Sequence, residues 1–422
     1  MKILFISENF PPETNAAATR VFERACYWSN WGHDVTVITQ APNFPQGKLH
    51  AGYKNRWVQH EEMDGIKVIR VKTFIAPNIG RVLRTLDFIS FLPSAFMAGL
   101  LASRANVIVA TSPQFFSAVA GWMTGFFRRI PFVFELGDIW PASFVAVGIM
   151  KKGIIYRLLE NLELFLYRQA AAVVALTPAF KRNLVMRGIP PEKIAVVMNG
   201  VDAERYQPMS TYVDLAQSWG TSGKFVVGYV GTHGMAHGLH NVLDAAELLR
   251  DDDKIRLLFV GDGAERISML KKVKERNLTN VIMMESQPKN MMPKVWSLCD
   301  VALIHLRASP VLAEVIPSKM FEAMAMGLPL LLVSPEGEAS NIVNREQTGV
   351  WVPPVQPDKL AQAIREMAND PVLCNTLVAN ALENVPHHSR RRQAEQMLQV
   401  LEISAKGWGA KAGCSLFGDI GP

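Results

Sequence analysis

The chain has 422 residues, of which 49% are hydrophobic and 19% are charged, with a mean hydropathy of +0.11. This length exceeds one typical domain and suits two domains of about 200 residues, while the composition excludes an intrinsically disordered protein. Four cysteines without a C-x-x-C pair exclude a disulfide framework and a cysteine zinc site, and they favour a reducing cytoplasm.

The charge is distributed unevenly along the chain. Residues 1–205 contain 23 basic and 15 acidic residues, a net charge of +8, whereas the whole chain carries +6 and the remainder therefore −2. A basic first half favours an anionic partner, either a membrane surface or a phosphorylated substrate. The sequence shows no nucleic-acid-binding motif, so nucleic acid is not expected as a partner. Ordinary surface charge is the alternative explanation.

The first half of the chain alternates short β-branched runs with helical segments. The N-terminal run MKILFIS lacks the long apolar region and the cleavage site of a signal peptide, so it is predicted to be the first strand. The predicted strands of this half cover residues 2–7, 34–39, 67–72, 107–111, 131–136, 172–177 and 195–200.

Residues 81–104 form a largely apolar segment with basic residues at its ends, namely Arg81, Arg84 and Arg104. Asp87 and Pro93 interrupt a length that would barely span a bilayer, which favours an interfacial or buried helix over a transmembrane one. In an interfacial helix, apolar side chains such as Phe88 and Phe91 would face the lipid. A helix packed wholly in the core is the alternative.

The same alternation restarts after a turn-rich, polar stretch. The predicted strands of the second half cover residues 225–231, 256–263, 280–285, 301–306 and 329–334. The predicted fold class is therefore α/β, with two Rossmann-like, doubly wound parallel sheets.

The turn-rich stretch also predicts the domain boundary, which we place near residue 205. The N-terminal domain then covers residues 1–205, and the C-terminal domain covers residues 206–386. Residues 387–407 are predicted to form a helix that packs back on the N-terminal domain. The Gly-rich residues 408–422 are predicted to form a loose tail.

Two carboxylates follow the predicted strand 301–306. Glu314 and Glu322 are separated by seven residues. A helix that begins near Ser318 would place Glu322 about one turn inside it and leave Glu314 on the preceding loop. Free backbone N–H groups at such a helix start suit a diphosphate. An acidic pair that complements the helix dipole is the alternative.

This E-x7-E spacing, with P-S-K before the second Glu and G-x-P before the next strand, resembles the family 4 glycosyltransferases of the GT-B fold. In that fold two Rossmann-like domains face a cleft. The resemblance covers most of the chain, which also looks similar to the WbuB-like group of bacterial O-antigen and capsule transferases. It implies that Glu322 binds the ribose of a nucleotide-sugar donor, that Glu314 has a catalytic role at the donor phosphate and sugar, and that Ser318 and Lys319 contribute to the donor site.

A second segment, residues 228–246, resembles the glycine loop of the family, with Gly231 and Thr232 at its turn. Glycine lets the backbone approach a phosphate group. The usual family pattern has Arg and Lys where this chain has Thr232 and His237. Lys319 and hydrogen bonds from Thr232 and the loop amides are therefore expected to compensate for the missing charges.

Two further motifs lie at the two ends of the predicted strand segment 256–263, one at its last residues and one directly before it. Gly261 and Gly263 form a second donor-side turn of the same kind, for which a simple strand-to-helix connection is the alternative. The acidic run 251–253 superficially resembles a D-x-D metal site, but it falls at a predicted helix end where solvated charges are expected. No metal site and no cofactor is predicted, because helix ends and basic groups can neutralise a diphosphate.

The first half contributes the expected acceptor side. Residues 10–20 occupy the loop where many family members have a Gly-Gly motif, and here Asn15 and Ala16 stand at that pair. Asp138 ends the predicted strand 131–136 in a stretch that resembles a D-x-W-P signature of bacterial surface-polysaccharide members. The family has a sugar-contacting histidine in this region, which implies a catalytic role for Asp138. A turn-capping role is the alternative.

The resemblance implies a retaining glycosyltransferase in which the leaving diphosphate helps to remove the acceptor proton. The expected donor is a UDP-sugar, with N-acetyl-fucosamine as a candidate sugar. The expected acceptor is a glycan, carried by polyprenyl diphosphate or soluble, in surface-polysaccharide synthesis, so peripheral attachment to the cytoplasmic face of the membrane is expected. The alternatives are a sugar-nucleotide epimerase of the same fold and a non-catalytic subunit, and the intact Glu314 and Glu322 disfavour the second.

Overall fold

The computed structural model describes residues 1–13, 15–44, 46–75, 81–112, 114–146 and 150–407, without the side chains of residues 81, 82, 84, 85 and 146. The predicted tail 408–422 and the side chains of Arg81 and Arg84 lie outside this description. The chain divides into two compact units. Unit 1 consists of Met1–Met198 and the segment that starts at Arg390, and unit 2 consists of Asn199–Ser389. The division falls a few residues before the predicted boundary near residue 205.

Within the described residues, unit 1 is built on one eight-stranded sheet with the spatial order β3-β4-β2-β1-β5-β6-β7-β8. Its strands are β1 (Lys2–Ile6), β2 (Asp34–Gln40), β3 (Val58–Met63), β4 (Ile66–Val71), β5 (Val107–Thr111), β6 (Phe132–Leu136), β7 (Ala172–Ala175) and β8 (Ile194–Val196). All neighbours run parallel except β3, which pairs antiparallel with β4. The parallel strands confirm the predicted pattern, whereas β3 was not predicted.

Six helices of unit 1 precede the connection to unit 2 within the described residues. They are α1 (Ala16–Asn30), α2 (Arg81–Leu101), α3 (Phe115–Arg128), α4 (Ala142–Ala146), α5 (Ile154–Gln169) and α6 (Pro178–Met186). Most of them connect consecutive parallel strands, as a doubly wound sheet requires.

Unit 2 is built on a six-stranded, wholly parallel sheet within the described residues, with the order β11-β10-β9-β12-β13-β14. Its strands are β9 (Phe225–Val230), β10 (Ile255–Val260), β11 (Val281–Met284), β12 (Val301–His305), β13 (Leu330–Val333) and β14 (Gly349–Val352). Its helices are α7 (Val213–Trp219), α8 (His240–Leu248), α9 (Arg266–Glu275), α10 (Met292–Trp296), α11 (Lys319–Ala325), α12 (Glu338–Glu346), α13 (Pro357–Asn369) and α14 (Pro371–Asn384).

The last helix, α15 (Arg390–Gly407), belongs to unit 1. The indole Nε1 of Trp28 on α1 donates a hydrogen bond to the carbonyl of Ala394, at 2.9 Å. Both Trp28 and Met397 are buried in the apolar cluster on this face of the sheet. Because successive side chains of a strand alternate, Phe5 of β1 joins this cluster, whereas Leu4 joins the opposite cluster with α2, α3 and α5.

Helix α2 is partly buried and partly exposed to solvent. Phe91 is completely buried against the sheet, so of the two alternatives for this residue the core position is confirmed and the lipid-facing position is excluded. Phe88 is half-buried, whereas Leu86 and Leu101 are exposed on the outer face. Of the helices in the described residues, none combines the length and the apolarity needed to cross a bilayer.

Candidate active site

The carboxyl ends of β9 and β12 lie where the strand order of unit 2 changes direction. From β9 the sheet continues to β10 and β11, and from β12 it continues to β13 and β14 on the other side. In doubly wound sheets, ligands bind in the crevice at such a point. Gly231 and Thr232 directly follow β9, and Glu314 and Glu322 lie in the segment after β12. The topology therefore brings the glycine loop and the E-x7-E segment to the same edge.

Lys319 is the first residue of α11, and its side chain extends to the glycine loop. Gly231 has a φ of +135°, and a Cβ at this position would lie 2.7 Å from the Lys319 Nζ. The amine lies 3.9 Å from the centroid of the Tyr229 ring. Among the described residues, this buried Nζ has no hydrogen-bond partner. Burial lowers the pKa of Lys319 to about 7, although Glu322 acts in the opposite direction.

The two predicted glycine turns contact each other around His233. A Cβ at Gly261 would collide with the carbonyl oxygen of Gly231 and would lie 3.3 Å from Nε2 of His233. A Cβ at Gly263 would lie 2.5 Å from the carbonyl oxygen of His233. Since both glycines also have a positive φ, only glycine fits these positions. His233 is fully buried, and burial lowers its pKa to about 4, so the ring is neutral near pH 7.

The glycine loop is also attached to the end of β12. Nδ1 of His305 donates to the carbonyl of His237 at 2.5 Å, and Nδ1 of His237 donates to the carbonyl of His305 at 3.4 Å. Burial lowers the pKa of both rings to about 4, so both are neutral. Nε2 of His305 then accepts from the Asn241 amide at 3.2 Å. Nε2 of His237 is likewise an acceptor, which suits a hydroxyl group and not a phosphate oxygen.

Helix α11 begins where the sequence predicts. Ser318 is its N-cap residue, and Glu322 lies in its first turn. Glu314 is half-buried at the end of a 3₁₀ turn, Pro310–Glu314. This turn packs tightly on the start of α12, because a Cβ at Gly337 would collide with the Ala313 carbonyl. The loop that carries Glu314 therefore has a fixed position at the carboxyl edge of unit 2.

The chemistry available at this edge is that of an anion and hydroxyl site. Lys319 offers a cation, the turn at Gly231 offers close backbone approach, and Glu322 offers a charged acceptor. In the part of the chain that the structure describes, no group of three or more His, Cys, Asp and Glu side chains is arranged to hold a metal ion. Independence from metal stays a prediction, as do the individual roles of these residues.

Unit 1 has an equivalent point between β1 and β5. Nε2 of Gln114, after β5, donates to Oδ1 of Asn9, after β1, at 2.5 Å. Asn9 in turn donates to Glu13 at 2.7 Å. Glu13 also accepts the backbone N–H groups of Asn43 and Phe44, at 2.8 and 3.0 Å. Burial raises the pKa of Glu13. This buried network fixes the loops at the carboxyl edge of the unit 1 sheet.

The predicted acceptor-side pair lies at the start of α1. Oδ1 of Asn15 accepts the backbone N–H of Ala18 at 2.9 Å, so the Asn15 side chain caps the helix. Ala16 is exposed and begins the helix. The structure thus gives Asn15 a capping role that the sequence analysis did not assign to it.

Asp138 follows β6 and is half-buried. Burial raises its pKa. The preceding residue, Gly137, donates its N–H to Oγ of Ser112 at 2.9 Å, and a Cβ at Gly137 would collide with the Ser112 carbonyl. Beneath this turn, Glu135 lies fully buried between Arg20 and Arg24, at 3.2 and 2.8 Å. This rigid connection positions Asp138 at the carboxyl edge of the unit 1 sheet.

Two family models match consecutive parts of the chain. Residues 215–384 match "Glycosyl transferases group 1", and residues 15–200 match "Glycosyl transferase 4-like domain". The chain belongs to the family 4 glycosyltransferases. The transferase is 24% identical over 341 residues to the "Putative colanic acid biosynthesis glycosyl transferase WcaI" of Escherichia coli K12, covering 78% of this chain and 82% of that protein.

Further comparisons agree with this family. The transferase is 23% identical to the GDP-mannose-dependent alpha-mannosyltransferase of Mycobacterium tuberculosis, covering 87% of this chain and 89% of that protein. Sucrose-phosphate synthase from Thermosynechococcus elongatus has the same fold, with a TM-score of 0.75, 20% identity and coverage of 95% and 98%. HepE of Anabaena, solved with UDP and glucose, has a TM-score of 0.72, 20% identity and coverage of 95% and 99%. The GT-B fold is confirmed.

Several residues that shape these sites in the transferase are not apparent from its sequence. His305 is the last residue of the buried strand β12 and lies in an apolar run. The sequence therefore gives no sign that its side chain binds the His237 carbonyl. The sequence predicts no separate role for His233, whereas in the structure atoms of this residue lie against Gly261 and Gly263. The two histidines of the G-T-H-G-M-A-H-G segment were the available signal in the sequence.

Proposed function

We propose that the transferase binds the diphosphate of a nucleotide-sugar donor at the carboxyl edge of unit 2. The observation that carries this proposal is the buried amine of Lys319, which lies against Gly231 and has no hydrogen-bond partner among the described residues. A buried amine without an acceptor is costly, and an anion bound at the glycine loop would supply one. Because Nε2 of His237 is an acceptor, Lys319 is the cation assigned to the diphosphate.

The proposed donor is a UDP-sugar, with N-acetyl-fucosamine as the candidate sugar. Solved structures of HepE contain UDP and UDP-glucose, which supports uridine as the base. The name of the mannosyltransferase relative specifies GDP-mannose, so GDP-sugars are the second class to be examined. In this proposal Glu322 binds the ribose hydroxyls, Ser318 and Thr232 add hydrogen bonds, and Gly261 and Gly263 permit the close packing of the two turns.

The proposed reaction transfers the sugar with retention of its anomeric configuration. Glu314 and Asp138 are assigned to the sugar and the reacting groups, and the loop at Asn15 and Ala16 is assigned to the acceptor. The proposed acceptor is a polyprenyl-diphosphate-linked glycan at the cytoplasmic face of the membrane, with a soluble glycan as the alternative. The name of WcaI, "Putative colanic acid biosynthesis glycosyl transferase", supports a role in bacterial surface polysaccharide.

The test is incubation of the full chain with UDP-, GDP- and dTDP-sugars and lipid-linked GlcNAc, followed by mass spectrometry of the products. We expect a glycosylated lipid from a UDP-sugar. Conversion of the donor to an isomeric sugar nucleotide without acceptor would indicate an epimerase instead. Absence of both product formation and nucleotide binding would contradict the donor site and indicate a non-catalytic subunit.

A matched pair of variants ties the activity to the glycine loop. Gly231→Ala should strongly reduce donor binding, because its Cβ would displace the Lys319 amine. Gly220→Ala is the control, since Gly220 also has a positive φ, at +71°, but a Cβ there meets no atom within 4 Å. Both variants introduce backbone strain. Only a loss of donor affinity that occurs in Gly231→Ala and not in Gly220→Ala therefore reports on the site. Equal effects of the two variants would contradict the assignment of Lys319.

A further inference from the structure

The outward face of α5 carries large apolar side chains that are exposed to solvent in the part of the chain that the structure describes. Ile154, Ile155, Leu158 and Phe165 are 80%, 69%, 63% and 37% exposed. The opposite side of the helix is anchored in the core through Leu166 and Tyr167. A helix that packs on one side usually places polar residues on the other, so a contiguous apolar outer face indicates an interaction surface. We call these four residues the α5 face.

The α5 face continues onto the neighbouring helix α3 through aromatic contacts. Trp122 packs edge-on against Phe165, with ring centroids 5.0 Å apart, and Phe126 follows at 6.1 Å from Trp122. Phe126 and Phe127 are 67% and 64% exposed at the end of α3. A groove of about 560 Å³ lies beside these rings. The exposed apolar surface therefore extends over two helices.

Basic residues outnumber acidic ones around this surface. Residues 105–170 contain six basic residues, namely Arg128, Arg129, Lys151, Lys152, Arg157 and Arg168, and four acidic ones. Two of the acidic residues, Glu135 and Glu163, are buried in ion pairs with arginines. Glu160 lies 3.6 Å from Arg187, and Asp138 lies at the carboxyl edge after β6. The apolar surface thus has a basic margin whose neighbouring carboxylates are largely neutralised.

We propose that the α5 face and the adjoining end of α3 dock on an anionic lipid bilayer. Apolar side chains would enter the interface, while Lys151, Lys152 and Arg157 would contact lipid phosphates. A second copy of the chain fits less well, because a self-complementary contact through this face would bring the two basic margins together. This inference rests on the proposed function in one respect, because a lipid-linked acceptor gives the docking its purpose. The α5 face itself does not include any residue of the donor site.

The position of the surface suits an acceptor held in the membrane. Helix α5 follows β6 in the chain and returns to the start of β7, so its first residues, Ile154 and Ile155, lie toward the carboxyl edge of the unit 1 sheet. Asp138 and the loop at Asn15 lie at the same edge. Docking through the first turns of α5 would therefore hold the acceptor side of unit 1 close to the lipid headgroups, whereas the end of α3 would contact the bilayer at the opposite edge of the sheet.

The test is flotation of the full chain with vesicles of phosphatidylcholine alone or mixed with phosphatidylglycerol, at low and at high salt. We expect binding to the anionic vesicles only. The double variant Ile154→Ser with Leu158→Ser should lower the partition coefficient about tenfold or more, chiefly at high salt, where apolar insertion dominates. The double variant Lys151→Glu with Lys152→Glu should lose binding chiefly at low salt.

Matched controls come from exposed residues elsewhere. Met186→Ser with Ile267→Ser removes two apolar side chains that are 80% and 82% exposed, on α6 and α9. Lys271→Glu with Lys274→Glu reverses two charges on α9. Neither control should change flotation. Should the α5 variant fail to fold by circular dichroism, Phe127→Ser on α3 provides the same test on a different helix.

Several results would overturn the proposal. Flotation unchanged in the α5 and Phe127 variants would show that another surface binds lipid, and wild-type protein that never floats would exclude docking altogether. A dimer that the α5 variant converts to a monomer would assign the face to a second copy. Donor binding separates these failures from failure of the proposed function, because nucleotide affinity should be equal in all folded variants.

Discussion

His237 and His305 bind each other through two reciprocal hydrogen bonds, in which the ring of each residue donates from Nδ1 to the backbone carbonyl of the other. The two residues are 68 positions apart, so this contact joins the glycine loop to the end of β12. It also fixes the tautomer of both rings. The glycine loop is therefore held by side chains and not only by the turn geometry of its glycines.

Replacement of His305 by leucine should loosen this loop. The His237 carbonyl and the Asn241 amide would each lose a partner, so the free energy of unfolding should fall by about 1–3 kcal/mol. The KM for the donor should rise, because the loop amides would no longer be held in place. Denaturant unfolding and steady-state kinetics measure the two effects. His60→Leu, on an exposed strand position, is the control and should change neither.

Lys319→Met should stabilise the unliganded protein while it abolishes most donor binding. Burial lowers the Lys319 pKa from 10.5 to about 7, so the unfolded chain binds more protons between these values and the buried amine costs stability at pH 7. Methionine removes that cost, which should raise the melting temperature by a few degrees. Lys294→Met is a matched control, since Lys294 also lies over a tyrosine ring, at 4.2 Å. A lower melting temperature in Lys319→Met alone would contradict this prediction.

Donor binding should be accompanied by proton uptake. The bound diphosphate favours the charged amine and so raises the Lys319 pKa above its unliganded value of about 7. Affinity should therefore be constant below about pH 7 and should decline as the pH rises above it. Calorimetry with a UDP-sugar in buffers of different ionisation enthalpy measures the uptake directly. A proton uptake that persists in Lys319→Met would assign it to another group.

Glu322→Ala should weaken nucleotide binding at least about tenfold, because a charged acceptor contributes about 1.5–3 kcal/mol to each hydrogen bond with a ribose hydroxyl. Isothermal titration with UDP is the measurement. Glu366→Ala, on α13 of the same unit, is the control. Unchanged affinity in a folded Glu322→Ala protein would remove this residue from the ribose role.

Transfer should continue in EDTA. Lys319 and the backbone N–H groups of the glycine loop are expected to neutralise the diphosphate without a divalent cation. The assay compares initial rates in chelator with rates after addition of Mg²⁺ or Mn²⁺. A complete loss of activity that either ion restores would contradict this expectation.

The fold was largely predictable because buried parallel strands are continuous apolar runs, as in residues 107–111 and 301–306. Strand β3 was not predicted, because its sequence VQHEEM is polar. It lies at the edge of the sheet and pairs only with β4. β14 is only four residues long and carries no comparable run. An edge strand forms because it makes hydrogen bonds with a neighbouring strand, and that pairing cannot be predicted from the local sequence.

The donor site was predictable only in part, for a similar reason. Glu314, Ser318, Lys319 and Glu322 share one short segment with a recognisable spacing. The contacts of Lys319 with Gly231 and Tyr229 join segments that are distant in sequence, as does the contact of His237 with His305. The exposed apolar surface of α5 was also not predicted, because the sequence alone does not show whether an isoleucine is buried or exposed. Such features require tertiary structure.

The return of α15 to unit 1 has a consequence for biosynthesis. Residues 1–198 leave the ribosome first, but the indole of Trp28 has no Ala394 carbonyl to bind until the chain has been made to its last helix. At about 5–20 residues per second, that delay lasts about 10–40 s. During this interval the face of α1 that α15 later covers is open to solvent. We therefore expect nascent unit 1 to need protection of this apolar surface during synthesis, and truncation before Arg390 would make the exposure permanent.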